Sequence, residues 1–319
     1  MYLVTGGAGF IGANIVEALV RKGERVRVLD NFSTGTSANL AAVRDRVEIV
    51  EGDLRDMAAL RRAVAGVTYV SHQAALRSVP RSVDDPLSTD AVNTHGTLQL
   101  LVAARDAGVK RVVYASSSSA YGDSQALPKV EDQTPAPISP YAVAKLAAEL
   151  YCRMYTRLYG LETVSLRYFN VFGPKQSPES KYAAVVPLFM QAALHNEPII
   201  IHGDGEQSRD FTYIDNVVQA NLLACTTPGV GGEVFNIACN SRHSVMEIAL
   251  TVQKLIGHKV TIEHAPSRAG DVRHTQASIE KAERLLNYHP TVGFEDGMRR
   301  TFEYLRAELG RNGAARAVS

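Results

Sequence analysis

A tyrosine and a lysine four positions apart, Tyr141 and Lys145, can do acid–base chemistry if a helix carries them. Pro140 suits the first position of a helix and Ser139 the cap before it, so the two side chains lie one turn apart on one face. A free tyrosine ionises near pH 10, and making it a base near neutrality takes about 4 kcal/mol of differential stabilisation. One cation at ~4 Å in a medium of effective dielectric ~20 contributes about 4 kcal/mol, so Lys145 together with a second cation is sufficient. Upstream, the run Ser116-Ser117-Ser118-Ser119 offers hydroxyls that can bind a reacting oxygen and shuttle its proton to Tyr141. Ser117 is the choice for that role, with Ser118 and Ser119 as neighbours. Tyr and Lys at this spacing occur on many helices, and four serines can form a plain turn, so the assignment depends on what surrounds them.

What surrounds them is a nucleotide site. Leu3-Val4-Thr5 reads as a short strand, followed by Gly6-Gly7-Ala8-Gly9-Phe10-Ile11-Gly12 and then the apolar helical pattern of Ile15, Val16, Ala18, Leu19 and Val20. Glycines 6, 9 and 12 permit the tight turn, let backbone approach a pyrophosphate and aim the helix N-terminus at its charge. Gly6, Gly9, Phe10, Ile11 and Gly12 are therefore expected against a dinucleotide. A second strand, Arg25 to Leu29, ends in Asp30, roughly 20 residues past the loop, where a carboxylate binds the adenosine ribose hydroxyls. Asp30 would repel a 2′-phosphate and Asn31-Phe32 follows instead of an arginine, which favours NAD over NADP. Oxidised nicotinamide is then the second cation beside Tyr141. A third strand, Val47 to Val50, exits at Gly52-Asp53-Leu54, which sets a carboxylate and a backbone amide where adenine could be held.

The segment Val67 to Ala75 reads as another strand, and the small residues at its end suggest that backbone near Gln73 and Ala74 passes close to the cofactor. His72 within it is expected to be a satisfied core residue. Leu76 to Ser82 reads as a polar loop at the strand ends, where open α/β sheets bind ligands, and Ser78 is its substrate-contact choice. Asn93, ahead of the helical stretch Gly96 to Ala107, either caps that helix or reaches the cofactor. Val109 to Ala115 is a further strand that leads into the serine run, so its end faces the nicotinamide.

The chain has 319 residues, 45% of them hydrophobic and 21% charged, enough to bury a large core in one domain or two interdependent ones. A net charge of +1 without a basic run leaves no electrostatic footprint for nucleic acid or an anionic membrane. The first residues enter the glycine loop with no basic region or long apolar segment, so a cytoplasmic enzyme without a membrane span is expected. Cys152, Cys225 and Cys239 lack metal-ligand spacing and are odd in number, so neither a metal site nor a disulfide framework is expected. In the helix predicted over 140 to 159, Leu146, Leu150, Met154 and Leu158 form the expected core stripe. Tyr151, Tyr155 and Tyr159 form a second stripe, for a dimer face or ordinary packing.

The glycine loop, Asp30-Asn31, Gly52-Asp53, the serine run and Tyr-x-x-x-Lys together resemble the extended short-chain dehydrogenase/reductase family, across essentially the whole chain. Leu166 to Pro174 and Ser208 to Asp215 are similar to signatures of its nucleotide-sugar 4-epimerases. The resemblance implies an α/β fold: a Rossmann-type doubly wound parallel sheet of seven strands with a smaller C-terminal α/β substrate domain. Residues 1–168 with about 209–238 would bind NAD, and about 169–208 with 239–319 the UDP-sugar. A homodimer joined through helices, one of them the Tyr-x-x-x-Lys helix, is implied as well.

The same resemblance implies substrate contacts from Ser117, Ser118 and Tyr141, from Asn170, from Arg209 and Arg268 on the diphosphate, and from Asp271 on the uridine ribose. A Pro- and Gly-bearing loop over 173 to 181 and a short helix from Tyr182 to Leu194 would enclose the sugar. Thr275, four positions after Asp271, would line the hexose pocket; a small residue there goes with N-acetylated sugars and a tyrosine with plain hexoses. The expected activity is interconversion of UDP-GlcNAc and UDP-GalNAc, with some activity on UDP-glucose and UDP-galactose, since a roomy pocket rejects a smaller ligand by only about 1–3 kcal/mol. An enzyme restricted to plain hexoses is the alternative. A 4,6-dehydratase would need an Asp-Glu pair where this chain has Ser117-Ser118-Ser119, and a non-catalytic sensor would need a broken constellation.

Overall fold

A computed structural model of the protein describes residues 1–177, 184–267 and 273–316, with side chains through 310. The N-terminal part alternates strand and helix: β1 (Tyr2–Thr5), α1 (Phe10–Arg21), β2 (Val26–Asp30), β3 (Val47–Glu51), α2 (Met57–Val64), β4 (Tyr69–His72), α3 (Val79–Asp84), α4 (Pro86–Asp90), α5 (Thr97–Asp106), β5 (Arg111–Ser117), α6 (Pro140–Tyr159) and β6 (Glu162–Tyr168). The remainder is β7 (Val171–Phe172), α7 (Val185–Leu194), β8 (Ile199–His202), β9 (Ser208–Arg209), β10 (Thr212–Tyr213), α8 (Ile214–Thr226), β11 (Val234–Ile237), β12 (His243–Ser244), α9 (Val245–Ile256), β13 (Ile262–Ala265), α10 (Glu280–Leu286) and α11 (Phe294–Arg316).

Seven strands form one sheet in the order β11-β6-β5-β4-β1-β2-β3, and every pairing in it is parallel. Parallel neighbours need crossover connections, so helices cover both faces and the strands are apolar on both sides. Alternate residues of one strand accordingly enter different cores: Val4, Val28, Val113 and Leu166 on one face, Leu3, Leu29, Val70 and Val112 on the other. The chain runs outward from β1 through β2 to β3, then returns to β4 on the opposite side of β1, and that reversal opens a crevice at the carboxyl edge. The register lines that edge up, with Thr5 beside Leu29 and His72, and Ser117 beside Tyr168.

Helix α6 follows its sequence signals at both ends. The Ser139 hydroxyl accepts from the Ala142 N–H at 3.2 Å, and Gly160 stops the helix at φ +70°. Its inward face differs from the expectation. Ala142, Lys145, Ala148, Glu149, Cys152 and Tyr155 are buried, whereas Leu150 and Leu158 of the expected core stripe are 53% and 69% exposed. Ala148 and Cys152 are small, so the helix backbone comes close to the sheet and the leucine row turns outward. Two other elements also differ from expectation. The strand predicted over Val67 to Ala75 is only Tyr69–His72, and the loop after it contains α3, whose start is fixed by Pro80 and the Ser78 cap. The helix predicted from Tyr182 starts at Val185 among the described residues.

Candidate active site

A cavity of about 370 Å³ lies along the carboxyl edge, walled at one end by Asp30 and Asp53, crossed by the glycine loop, and walled at the other end by Tyr141 and Lys145. Its middle is built by absent side chains. A Cβ on Gly12 would sit 2.1 Å from the Gly6 carbonyl oxygen, and Gly6 itself has φ +64° with Ala74 backbone 2.7 Å from any Cβ there. The turn can close and α1 can aim at the cavity only with glycine at both positions. Phe10, Ile11 and Gly9 line the space directly. Asp30 is buried and locked by two backbone donors, the Ala8 N–H and the Phe32 N–H, each at 2.8 Å. One lone pair on each of its oxygens is left for ribose hydroxyls.

Asp53 and Leu54 also line the cavity, as expected, but the Asp53 carboxylate already has partners. Arg55 binds it at 2.8 and 2.9 Å and the Asn31 amide donates at 2.7 Å. The Arg55 hydrogen bond, opposed by desolvation and aided by Asn31, holds this carboxyl well below the usual range. This end of the cavity therefore stays anionic and rigid. A carboxylate, the open backbone of the glycine loop and a tyrosine–lysine pair lining one cavity suit the ribose, pyrophosphate and nicotinamide of NAD. Bound there, NAD can take a hydride from a carbon of the substrate and return it.

At the far end, Lys145 is buried and its ammonium donates to the Ala115 carbonyl at 2.8 Å. Burial pushes its pKa down to about 8. Burial also raises the pKa of the Tyr141 phenol, while a hydrogen bond with Ser117 and the charge of Arg77 act in the opposite direction. The protein by itself thus keeps Tyr141 protonated, and more positive charge beside the phenol is required before it can act as a base. The serine run divides its work. Ser116 is buried and donates to Glu149 Oε2 at 2.6 Å, whereas Ser117 meets Tyr141 and accepts from Ser119 N at 3.1 Å and from Ser119 Oγ at 2.9 Å. Ser118 opens the short 3-10 turn that follows and is partly exposed.

Of the other expected residues, some stand where they were expected and some do not. Gln73 and Ala74 line the cavity. Ser78 is turned away to cap α3, where its hydroxyl accepts from Arg81 N at 3.3 Å, because the loop closes into a helix at φ +102°. Asn93 neither caps the following helix nor lines the cavity. It is buried in a single π-helical turn, and its side chain pairs with both backbone groups of Leu76, accepting from the N–H at 2.8 Å and donating to the carbonyl at 2.9 Å. It pins the strand-end loop instead. His72 is satisfied between Thr5 and Thr97, at 2.6 and 2.9 Å, and burial lowers its pKa to about 3.

On the C-terminal side, the Asn170 amide donates to the Asp210 carbonyl at 2.9 Å, and Arg209 donates to the carbonyls of Ser208 and Arg273 at 3.0 and 3.1 Å. Thr275 sits on the segment that binds β9, its N–H donating to Ser208 O at 3.0 Å, and its buried hydroxyl has no partner among the described residues. Arg268 and Asp271 lie outside the described residues. The sequence reading missed Arg77, Arg81 and Tyr168 as cavity residues. Arginines in the loop after β4 were the available signal for the first two; Tyr168 follows from its pairing opposite Ser117.

Comparison with known proteins agrees with this geometry. Residues 2–238 match the model of the NAD dependent epimerase/dehydratase family. A UDP-glucose 4-epimerase of Mycolicibacterium smegmatis is 38% identical, over 95% of this chain and 98% of that one. A solved structure of a UDP-N-acetylglucosamine 4-epimerase from Methanobrevibacter ruminantium, in complex with UDP-N-acetylmuramic acid, superposes with a TM-score of 0.92 at 36% identity, covering 96% and 98% of the two chains. A dTDP-glucose 4,6-dehydratase from Streptomyces venezuelae with NAD bound superposes with a TM-score of 0.90 at 33% identity, covering 97% and 98%. With a family model matched over most of its length and such relatives covering nearly all of it, this chain belongs to the NAD dependent epimerase/dehydratase family.

Proposed function

We propose that this NAD-dependent enzyme is a UDP-sugar 4-epimerase, with Tyr141, Ser117 and Lys145 as its catalytic residues. The observation that carries the reading is that Tyr141 and Lys145 line one cavity with Asp30 and the glycine loop, with Ser117 hydrogen-bonded to the Tyr141 phenol. Ser117 binds the 4-hydroxyl of the sugar and passes its proton to Tyr141, while Lys145 keeps positive charge beside the phenolate. As C4 loses its hydride, a 4-keto sugar forms. It turns over in the pocket and accepts hydride on its other face, whereupon Tyr141 returns the proton. Arg209 and, by resemblance, Arg268 and Asp271 hold the uridine diphosphate, and residues 1–168 with about 209–238 carry the cofactor half.

The sugar in this reading is an N-acetylhexosamine, UDP-GlcNAc or UDP-GalNAc, with residual use of UDP-glucose and UDP-galactose. Thr275 supports it by resemblance, since a small residue at this position goes with N-acetylated sugars and a tyrosine with plain hexoses. A 4,6-dehydratase is less well supported, because Ser117-Ser118-Ser119 supplies no second acid–base pair. A homodimer through α6 is supported by the outward row Val143, Leu150 and Leu158, joined by Leu87 of α4, each more than half exposed.

Incubation with each UDP-sugar and analysis of the product tests the reaction: inverted C4 supports it, and a 4-keto-6-deoxy product refutes it. Tyr141→Phe should fold and retain NAD yet lose nearly all turnover, and a fully active Tyr141→Phe enzyme would end the assignment. Thr275→Tyr should abolish the N-acetylated reaction and spare the plain one. A variant that still epimerises UDP-GlcNAc at the wild-type rate would show that Thr275 is not the gate.

A further inference from the structure

Beside Tyr141 and Lys145 the cavity wall includes Gln73 and Tyr168, and behind these two lies a closed ring of polar side chains. Asn221, on α8, is 1% exposed and its amide nitrogen donates to the Val217 carbonyl and to the Tyr168 hydroxyl, both at 2.8 Å. Tyr168 donates onward to Gln73 Oε1 at 3.2 Å. Gln73 Nε2 donates to Asn221 Oδ1 and to Ser71 Oγ, both at 3.0 Å, and Ser71 donates to Asn221 Oδ1 at 3.2 Å.

The direction of every bond in this ring follows from one backbone group. The Val217 carbonyl can only accept, so the Asn221 NH2 must face it, and Asn221 Oδ1 must face Gln73 and Ser71. That turns the Gln73 NH2 inward and its oxygen toward Tyr168. Both hydrogens of Asn221, both of Gln73, and those of Ser71 and Tyr168 are then used within the ring. What remains toward the cavity is one lone pair on Gln73 Oε1 and one on Tyr168 Oη. This patch beside the catalytic pair therefore accepts hydrogen bonds and donates none.

We infer that Gln73 and Tyr168, oriented by Asn221 and Ser71, hold the nicotinamide carboxamide by its NH2 group, with Asn221 as the positioning residue that sets the polarity of the contact. This rests on the reading that the nicotinamide end of NAD lies beside Tyr141. A carboxamide held by its NH2 cannot rotate to present its oxygen, so the ring meets the sugar in one orientation. A ring substituent that offers only a carbonyl would face two lone pairs and lose its hold.

Purified holoenzyme is challenged with excess thionicotinamide adenine dinucleotide, which keeps the NH2, or 3-acetylpyridine adenine dinucleotide, which lacks it, and the dinucleotide retained is identified after denaturation. The thionicotinamide form should exchange in, and the acetylpyridine form should be at least about tenfold weaker, as expected when buried acceptors go unpaired. In Asn221→Leu, which removes the amide that sets the sense of the ring and frees Gln73 to turn its NH2 toward the cavity, this preference should fall below about threefold, and Tyr168→Phe, which takes away one of the two acceptors, should lower it as well. Equal uptake of both analogues by the wild type overturns the inference and needs no variant to fold. Undiminished preference in folded Asn221→Leu overturns the role of Asn221. A protein that retains no dinucleotide of any kind would overturn the nicotinamide reading itself, a result distinct from retaining all three alike.

Discussion

Removing the carboxylate of Glu149 should loosen the helix that carries Tyr141 and Lys145. Glu149 is 1% exposed and Arg167, on β6, is 3% exposed. Their contact is two-pronged, Nη2 to Oε1 at 2.6 Å and Nε to Oε2 at 3.0 Å, and Ser116 adds its hydroxyl at 2.6 Å. Burial works against the Arg167 charge, but Glu149 outweighs it and the guanidinium ends above its usual pKa. Glu149→Leu strands that guanidinium in the interior, which costs about 3–5 kcal/mol, and leaves the Ser116 hydroxyl without its acceptor. For a chain of this size the midpoint of thermal unfolding should fall by about 4–8 °C. A double variant, Glu149→Leu with Arg167→Met, removes both charges and should recover most of the loss, because an apolar pair of similar volume replaces a desolvated ion pair at little net cost. Circular dichroism melts of wild type, both single variants and the double variant form the cycle. A single variant within about 1 kcal/mol of wild type, or a double variant no better than the sum of the singles, would refute the assignment of this pair as the fastening of α6.

Two further outcomes follow from buried groups. Asp210 is fully buried, and burial pushes its carboxyl up to about 7 although the N–H groups of Cys239 and Ala277 pull the other way. A folded-state pKa raised above the unfolded value of about 3.9 contributes stability that is complete below pH ~4 and lost as pH rises through ~7, up to about 4 kcal/mol. Urea titrations from pH 4 to pH 8 should therefore slope downward for wild type and flatten for Asp210→Asn, and parallel slopes would contradict the account. Asn93→Leu keeps the volume but orphans both backbone groups of Leu76, at a cost of about 1–3 kcal/mol in local stability. Its expected signature is a holoenzyme that sheds NAD faster on dilution while α6 melts normally, and unchanged NAD retention would show that the loop does not depend on Asn93.

What could be read from the sequence is what short-range physics fixes. The glycine loop, Asp30 at the end of β2, and the Ser139-Pro140 start of α6 are local, since turn sterics and capping act within a few residues, and all three stand where the pattern put them. The parallel seven-stranded sheet is implied by the resemblance to the extended short-chain dehydrogenase/reductase family, and the strand pairings have it. The tertiary structure alone decided which face of α6 meets the sheet, because periodicity defines a stripe but not its partner, and close approach selected Ala148 and Cys152 over the leucines. Packing also gave Asn93 to the Leu76 backbone and Ser78 to a helix cap, since buried N–H and carbonyl groups take the nearest partner whatever the sequence separation. The ring of Ser71, Gln73, Tyr168 and Asn221 joins residues 148 positions apart, from Gln73 to Asn221. No spacing in the sequence encodes it, because it exists only once α8 is laid against β4 and β6.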